Sequence, residues 1–459
     1  MRKSVLLVGC VGVVALVGAA CSSNKGGSGF TNDGSSSSGS GSSGGGSNGG
    51  GSGGSGGSSG SAPGTFGDAS ASGGSSSGGS TCNVTDPNAD MDKDGWTPNQ
   101  GDCNDCDPNV NPGAIDTWHQ PADGGAGYWG DEDCSNSPGD NAKPCDTGLA
   151  LTDLNAMDGA KAIELCATAT MNDKKYGVLS ANYVRANGAA FPTVGAQVGI
   201  QQAWGTNVHV QGGASMLVIS SGYARSVGQT GACNGISCQT NPTGCTPPTG
   251  FPEDDPACPP TPAIADDIAL ELQIRTPTNA TGYSFDFKFY SFEYPDWVCD
   301  TSGYNDQFVA LVNPPPMGAF VPSGSMFGNI SFDMNNHPVS VNMGFFDVCD
   351  PSTPNRFAQH CKSGGGTCPP TPSPYCPMGT GELAGTGFDV WHSTVGPAGA
   401  TKWLQTQAPV KPGSIITIRF AMWDAGNAEF DSTTLIDNFH WIATGGNIGV
   451  GTTPEPSPQ

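Results

Sequence analysis

Residues 282–295 read "GYSFDFKFYSFEYP", and their alternation decides the fold. Side chains of an extended chain point to opposite faces in turn. Tyr283, Phe285, Phe287 and Phe289 therefore fall on one face, and Ser284, Asp286, Lys288 and Tyr290 on the other. The same period recurs in "SIITIRFAMWD" (414–424), which sets Ile416, Ile418, Phe420 and Met422 opposite Thr417, Arg419 and Trp423. Further strands are expected in "YGVLSANYV", "SMLVISSGY", "DIALELQIR", "DQFVALV", "VSVNMGFFDV" and "LIDNFHWI". Short strands separated by glycine and proline loops predict an all-β fold over residues 150–446, a sandwich of jelly-roll or lectin-like type. One short helix is expected in "DGAKAIELCATA" (158–169), where Asp158 is able to cap and Ala162, Ile163, Leu165 and Cys166 are spaced for a partly buried face.

Toward the N-terminus the composition changes completely. Residues 22–81 are almost all glycine and serine, too poor in apolar surface to offset the entropy of ordering, so they are expected to be a disordered tether. Before it, "MRKSVLLVGCVGVVALVGAAC" has a basic start, an apolar run short for a membrane span, and small residues ahead of Cys21, the pattern of an export signal. It also resembles a bacterial lipoprotein signal. That resemblance implies lipidation of Cys21, and Ser22 and Ser23 look like residues of lipoproteins sent to an outer membrane. The alternative is plain secretion with Cys21 unmodified. Residues 447–459 are expected to be a disordered tail.

Export fits the cysteines. Of seventeen, Cys10 lies in the leader and Cys21 at its end; the rest read as disulfides with one left over. "CNDC" at Cys103 and Cys106 has no second CxxC, which points to structural bridges more than to zinc or redox chemistry.

The net charge of −24 argues against nucleic acid and toward cations. Half of it lies in residues 82–146, where fourteen acidic residues face only Lys93 and Lys143. There "DMDKDGWTPNQGDCNDCDPNVNPGA" (90–114) places Asp90, Asp92 and Asp94 at the first, third and fifth positions of a calcium loop. Gly95 makes the turn, and Trp96 is positioned to offer a carbonyl. The twelfth position is Gly101, which excludes the helix-loop-helix sensor, but Asp102 follows as a closing ligand. Asp105, Asp107, Asn109 and Asn111 repeat the alternation with hard oxygen ligands, which suit calcium better than magnesium. The segment resembles a repeated metal-binding module of exported myxobacterial proteins in the matching stretches 90–95, 102–107, 111–114 and 131–134. The resemblance adds Asp131 and Asp133 as ligands. Asn104, Cys106 and the inserted "TWHQPADGGAGYWG" depart from that pattern.

Two more acidic groups lie among the strands, and their neighbours resemble the choice-of-anchor L domain of bacterial surface and secreted proteins. The stretches that carry this are 160–166, 291–295 ("SFEYP"), 304–306 ("YND") and 431–439 ("DSTTLIDNF"). That family implies a surface location and no established activity. Glu293, Asp306, Asp424 and Asp437 read as a second cation site or polar ligand edge, or else as caps of strand ends. Trp297, Tyr304, Trp391, Trp403 and Trp423 are candidates for a sugar-stacking platform, with core packing as the alternative. The six histidines form no HExxH or paired pattern, and "ISSGY" lacks the GxSxG turn, so no catalytic residue is assigned. The expectation is an anchored, calcium-binding, extracytoplasmic protein with a surface binding or adhesion role. Its partners would be the membrane through the lipid, and a glycan or an envelope protein. The competing classes are a carbohydrate-binding module, a structural envelope component and a lectin-like glycoside hydrolase.

Overall fold

The computed structural model describes residue 82 and residues 84–455, apart from 192–194, 239, 241–242, 255–257, 334–335, 343–344, 353–375, 391–396 and 444–445. The leader, Cys21, the Gly/Ser tether, Cys361, Cys368 and Trp391 thus lie outside the described residues. In chain order a hairpin, β1 (Trp118–His119) and β2 (Tyr128–Trp129), precedes the helix α1 (Ala156–Lys161). Then come β3 (Gly177–Val184), β4 (Val198–Gln201), β5 (Ala203–Trp204), β6 (Val208–His209), β7 (Met216–Ser220), β8 (Ile264–Arg275) and β9 (Gly282–Ser291). After these lie β10 (Gln307–Asn313), β11 (Gly328–Asn329), β12 (Val339–Ser340), β13 (Phe346–Val348) and β14 (Gly399–Thr401). The chain closes with β15 (Leu404–Pro409), β16 (Ile415–Ala425), β17 (Ser432–Ile442) and β18 (Gly451–Pro454).

Two antiparallel sheets carry the fold. One has the order β11-β10-β16-β8-β3, the other β13-β14-β9-β17-β7-β4 with β15 on β9 and β18 beyond it. Between them the expected faces meet: Phe285 and Phe287 of β9 pack on Phe420 and Phe308 of the opposite sheet, ring centroids 4.9 and 4.8 Å apart. Each ring removed from water contributes about 1.5–3 kcal/mol, so these rows of Phe, Ile and Leu are the main cohesion of the sandwich.

The outer faces are also covered. Tyr290, Trp204, Val218 and Leu435 form a second apolar cluster, and Trp423, Ala421, Val309 and Ile264 a third. As a result β9 is buried on both faces, including Lys288. The Lys288 ammonium pairs with Glu382 and lies 5.7 Å from the Tyr290 ring centre. Burial pushes its pKa down, against the pull of Glu382 and Asp347. Trp403 and Trp423 are buried too, which removes them from any sugar platform.

Three local expectations are corrected. The helix starts earlier, capped by the Asn155 side chain accepting from the Met157 N–H (3.1 Å), and ends at Lys161. Glu164, at φ 64°, turns the chain left-handed, so Ile163 and Leu165 are buried beyond the helix end. The tail is partly ordered, because β18 pairs Gly451–Pro454 with β15. "VSVNMGFFDV" yields only the short β12 and β13.

The acidic segment docks on the sandwich. Thr278 N–H donates to Gly113 O (2.9 Å), Thr278 Oγ1 to Asn111 Oδ1 (2.7 Å), and Asn279 bonds both backbone groups of Ile115. A Cβ on Gly113 would lie 2.9 Å from Thr278 Cγ2, so the glycine of "NPGA" is what permits this approach. Disulfides join Cys82–Cys106, Cys103–Cys134, Cys145–Cys166, Cys233–Cys238, Cys258–Cys299 and Cys349–Cys376. Cys103 and Cys106 therefore take different partners, as structural bridges do.

Candidate metal centre

Tight turns force the aspartates of residues 90–105 inward. Lys93 (φ 68°) and Gly95 (φ 95°) are left-handed, and the Asp90 carboxylate accepts from both of their N–H groups (2.6 and 3.0 Å). Asp92, Asp94, Asp102 and Asp105 share one habit. Each commits Oδ1 to a backbone N–H, of Asp94 (3.2 Å), Trp96 (2.7 Å), Asn104 (2.8 Å) and Met91 (2.9 Å) in that order. Each leaves Oδ2 buried with no hydrogen-bond partner among the described residues. Asp102 and Asp105 are only 6 % and 2 % exposed. Ligand oxygens of Asp90, Asp92 and Asp94 lie within 4.8 Å of one another, as do those of Asp92, Asp102 and Asp105. Asp92 joins the two groups. The bridges at Cys103 and Cys106 flank Asp105, and the Met91 N–H ties its carboxylate to the first turn.

Burial raises the pKa of Asp92, Asp94 and Asp102, and mutual repulsion adds to it: Asp94 and Asp105 act on Asp92, Asp102 acts on Asp94, and Asp92 and Asp105 act on Asp102. Backbone bonds and the Asn111 amide near Asp94 oppose the rise only in part. Buried carboxylate oxygens without donors are the environment a hard cation satisfies.

The remaining expected ligands go elsewhere. Trp96 is held by its ring, buried at 8 % exposure with Lys174 Nζ 5.4 Å from its centre, while Lys174 also donates to Gly95 O (2.6 Å). Asp107 closes its own turn onto Asn109, accepting from N–H (3.1 Å) and Nδ2 (3.0 Å). Asn111 is a docking residue, as described above. Asp131 accepts from Ser135 Oγ (3.3 Å) and Asn136 N–H (3.1 Å). Asp133 joins Asp116 and Asp140, with oxygens within 4.8 Å, a grouping the sequence did not suggest. There Asp116 uses both oxygens, accepting from the N–H groups of Asp133 (3.3 Å), Gly139 (2.6 Å) and Asp140 (3.3 Å).

In the sandwich, β10, β16 and the end of β9 bring Asp306, Asp424 and Glu293 together at 0 %, 0 % and 1 % exposure. Asp306 accepts from Ala425 N–H (2.7 Å) and Ser432 Oγ (2.5 Å), and Glu293 Oε2 from Asp306 N–H (3.3 Å). A register shift between Met422 and Asp424 turns the Asp424 carboxylate into this group, where neither oxygen meets a donor in bonding geometry. Burial and then neighbouring Asp306 drive Glu293 and Asp424 well above the carboxylate range; burial takes Asp306 itself to about 7. So enclosed, the trio offers no carboxylate pair to an incoming substrate.

Asp437 is not part of it. On β17 it pairs with Asp286, and its Oδ2 accepts from Gln211 N–H (2.5 Å) and Gly212 N–H (3.3 Å). Its acidic neighbour is Glu164, which burial, then Asp437 and Asp146, push up to about 9. The hairpin of β1 and β2 exposes aromatic rings: Trp118, Tyr128 and Trp129 are 38 %, 58 % and 39 % exposed, and Trp118 and Trp129 line a cavity of about 330 Å³.

The fold and site together describe a disulfide-linked β-sandwich carrying an acidic cage. Residues 217–439, from β7 into β17, match the family model of the choice-of-anchor L domain. α1 and β3 to β6 lie before the matched residues. No curated protein matches the chain. Among solved structures, a carbohydrate-binding module specific for non-crystalline cellulose, CBM28, is similar at 7% identity, over 57% of this chain and 88% of that one, with a TM-score of 0.23. No described helix is long and apolar enough to cross a membrane.

Proposed function

We propose that the chain is a calcium-stabilised extracytoplasmic protein of the choice-of-anchor L kind, tethered to the cell envelope through Cys21 and residues 22–81, that presents its sandwich for surface binding or adhesion. The observation that carries the calcium reading is the set of four buried Oδ2 atoms, of Asp92, Asp94, Asp102 and Asp105, that meet no donor. These four, with Asp90, would hold the ion. The ion would supply positive charge that lets the carboxylates stay ionised and close together, so binding energy becomes folding energy for this segment.

Thermal melts of the full chain across a calcium titration test this. Stabilisation at a hundredfold excess over Kd is expected to be about 2.7 kcal/mol. It should vanish when Asp92 and Asp94 are both changed to alanine. A calcium-independent melt of the unaltered chain would end the reading.

A glycan is the partner favoured by one further observation, the exposed Trp118 and Trp129 rings that line the cavity, with exposed Tyr128 on the same hairpin. A glycan array probed with the full chain and with its Trp118→Ala and Trp129→Ala variants separates this from an envelope-protein partner or a purely structural role. Loss of a glycan signal in both variants supports it, and no glycan signal at all contradicts it.

A further inference from the structure

Asn111 is fully buried, and a residue of the sandwich helps to fix how it sits. Its Oδ1 accepts from Gly113 N–H (2.9 Å) and from Thr278 Oγ1 (2.7 Å), and its Nδ2 donates to Pro108 O (3.2 Å). A backbone N–H can only donate, so Gly113 settles which end of the amide is oxygen. The same amide favours the ionised form of Asp94, the work of an N–H donor. Thr278, in the turn between β8 and β9, therefore reaches Asp94 through one side chain.

A second hold comes from ahead of β3. Lys174 Nζ donates to Gly95 O (2.6 Å) and Gln100 Oε1 (3.3 Å), and it lies 5.4 Å from the centre of the Trp96 ring. Gly95 and Trp96 directly follow Asp94, whose Oδ1 accepts from the Trp96 N–H (2.7 Å). The loop that carries Asp94 is thus gripped by two residues from outside the acidic segment. Without an ion its carboxylates repel one another, and an outside grip lowers the cost of bringing them together when the ion binds.

We infer that Thr278 and Lys174 are positioning residues of the calcium cage: they hold the turn at Asp94 in its ion-binding shape, so the acidic segment binds calcium tightly only while docked on the sandwich. This rests on the calcium reading of the cage. It also makes a claim that charge alone would reverse. Lys174 is a cation beside an anionic site, so by charge its removal would tighten calcium binding; by its hold on Gly95 O and Trp96, removal weakens it.

Calorimetric titration of the full chain with calcium tests this. Thr278→Val keeps the methyl group and loses only the hydroxyl donor, and it should weaken calcium binding about tenfold. Thr278→Ser keeps the hydroxyl and should bind like the unaltered chain. Lys174→Met keeps an aliphatic stem near Trp96 and should weaken binding about threefold. A merely structural role would lower the melting point equally with calcium and with chelator and leave the affinity alone. Should Thr278→Val fail to fold, Lys174→Met, at an exposed residue, carries the test. Affinity unchanged in Thr278→Val, or unchanged or raised in Lys174→Met, overturns the inference and leaves the cage standing. No calcium binding by the unaltered chain overturns both.

Discussion

Asp102 and Asp424 are both buried aspartates with oxygens that meet no donor, but they rest on different supports. Asp102 sits in a loop beside the Cys103–Cys134 bridge, among aspartates that each commit one oxygen to a backbone N–H and leave the other buried. Asp424 sits on a central strand beside Asp306, whose two oxygens are fully used by Ala425 and Ser432. The loop repeats one turn geometry at Asp92, Asp94 and Asp102, and Asp105 adds a bond back to Met91, so charge is concentrated there. The strand group is closed in by β-sheet, and protons relieve its crowding, as the high pKa of Glu293 and Asp424 indicates. Crowded carboxylates alone therefore do not mark a metal site; the sign is a backbone-braced arrangement whose spare oxygens are buried together without donors.

The sharpest way to break this comparison is Asp306→Ala. It would strip acceptors from Ala425 N–H and Ser432 Oγ in a buried site and should cost about 3–5 kcal/mol, whatever the calcium concentration, measured by chemical denaturation. A calcium-dependent loss would mean that the strand group also holds an ion.

The pH profile comes next. A carboxyl whose folded pKa is raised contributes stability in full below its unfolded value, and that contribution is lost as pH rises through the folded value. For Asp306 and Asp431 the window runs from the ordinary 3.8 to about 7. Stability at saturating calcium should therefore fall from pH 5 to pH 8. Asp424→Asn should make that slope shallower, by at most about 1.4 kcal/mol per pH unit for one proton. A steeper slope in the variant would contradict proton sharing in the sandwich.

The smallest effect is expected at Asp107. It closes only an exposed turn, so Asp107→Ala should shift stability by no more than about 0.5 kcal/mol and leave calcium affinity unchanged. A large loss of affinity would extend the cage beyond the residues brought together here.

Much of this was legible in the sequence. Alternation at 282–295 and 414–424 gave the strands and their inner faces, because burial selects every second residue. It did not reveal that Lys288 and Tyr290 are also buried, since their cover, Glu382 and Phe388, comes from a loop far along the chain. The aspartate spacing pointed to the cage through Asp90, Asp92, Asp94, Asp102 and Asp105. Asp107 and Asp131 carry the same local pattern and merely close turns, a difference that only tertiary contacts decide. Asp437 was grouped with Asp306 by composition. It lies five residues along β17 from Ser432, which bonds Asp306, a distance of about 16 Å at strand rise.

The most direct measurement is a high-resolution crystal structure of the full chain grown with saturating calcium. It should place an ion about 2.3–2.6 Å from the Oδ2 atoms around Asp92, Asp102 and Asp105. Carboxylates turned outward to solvent, with no ion among them, would contradict the account.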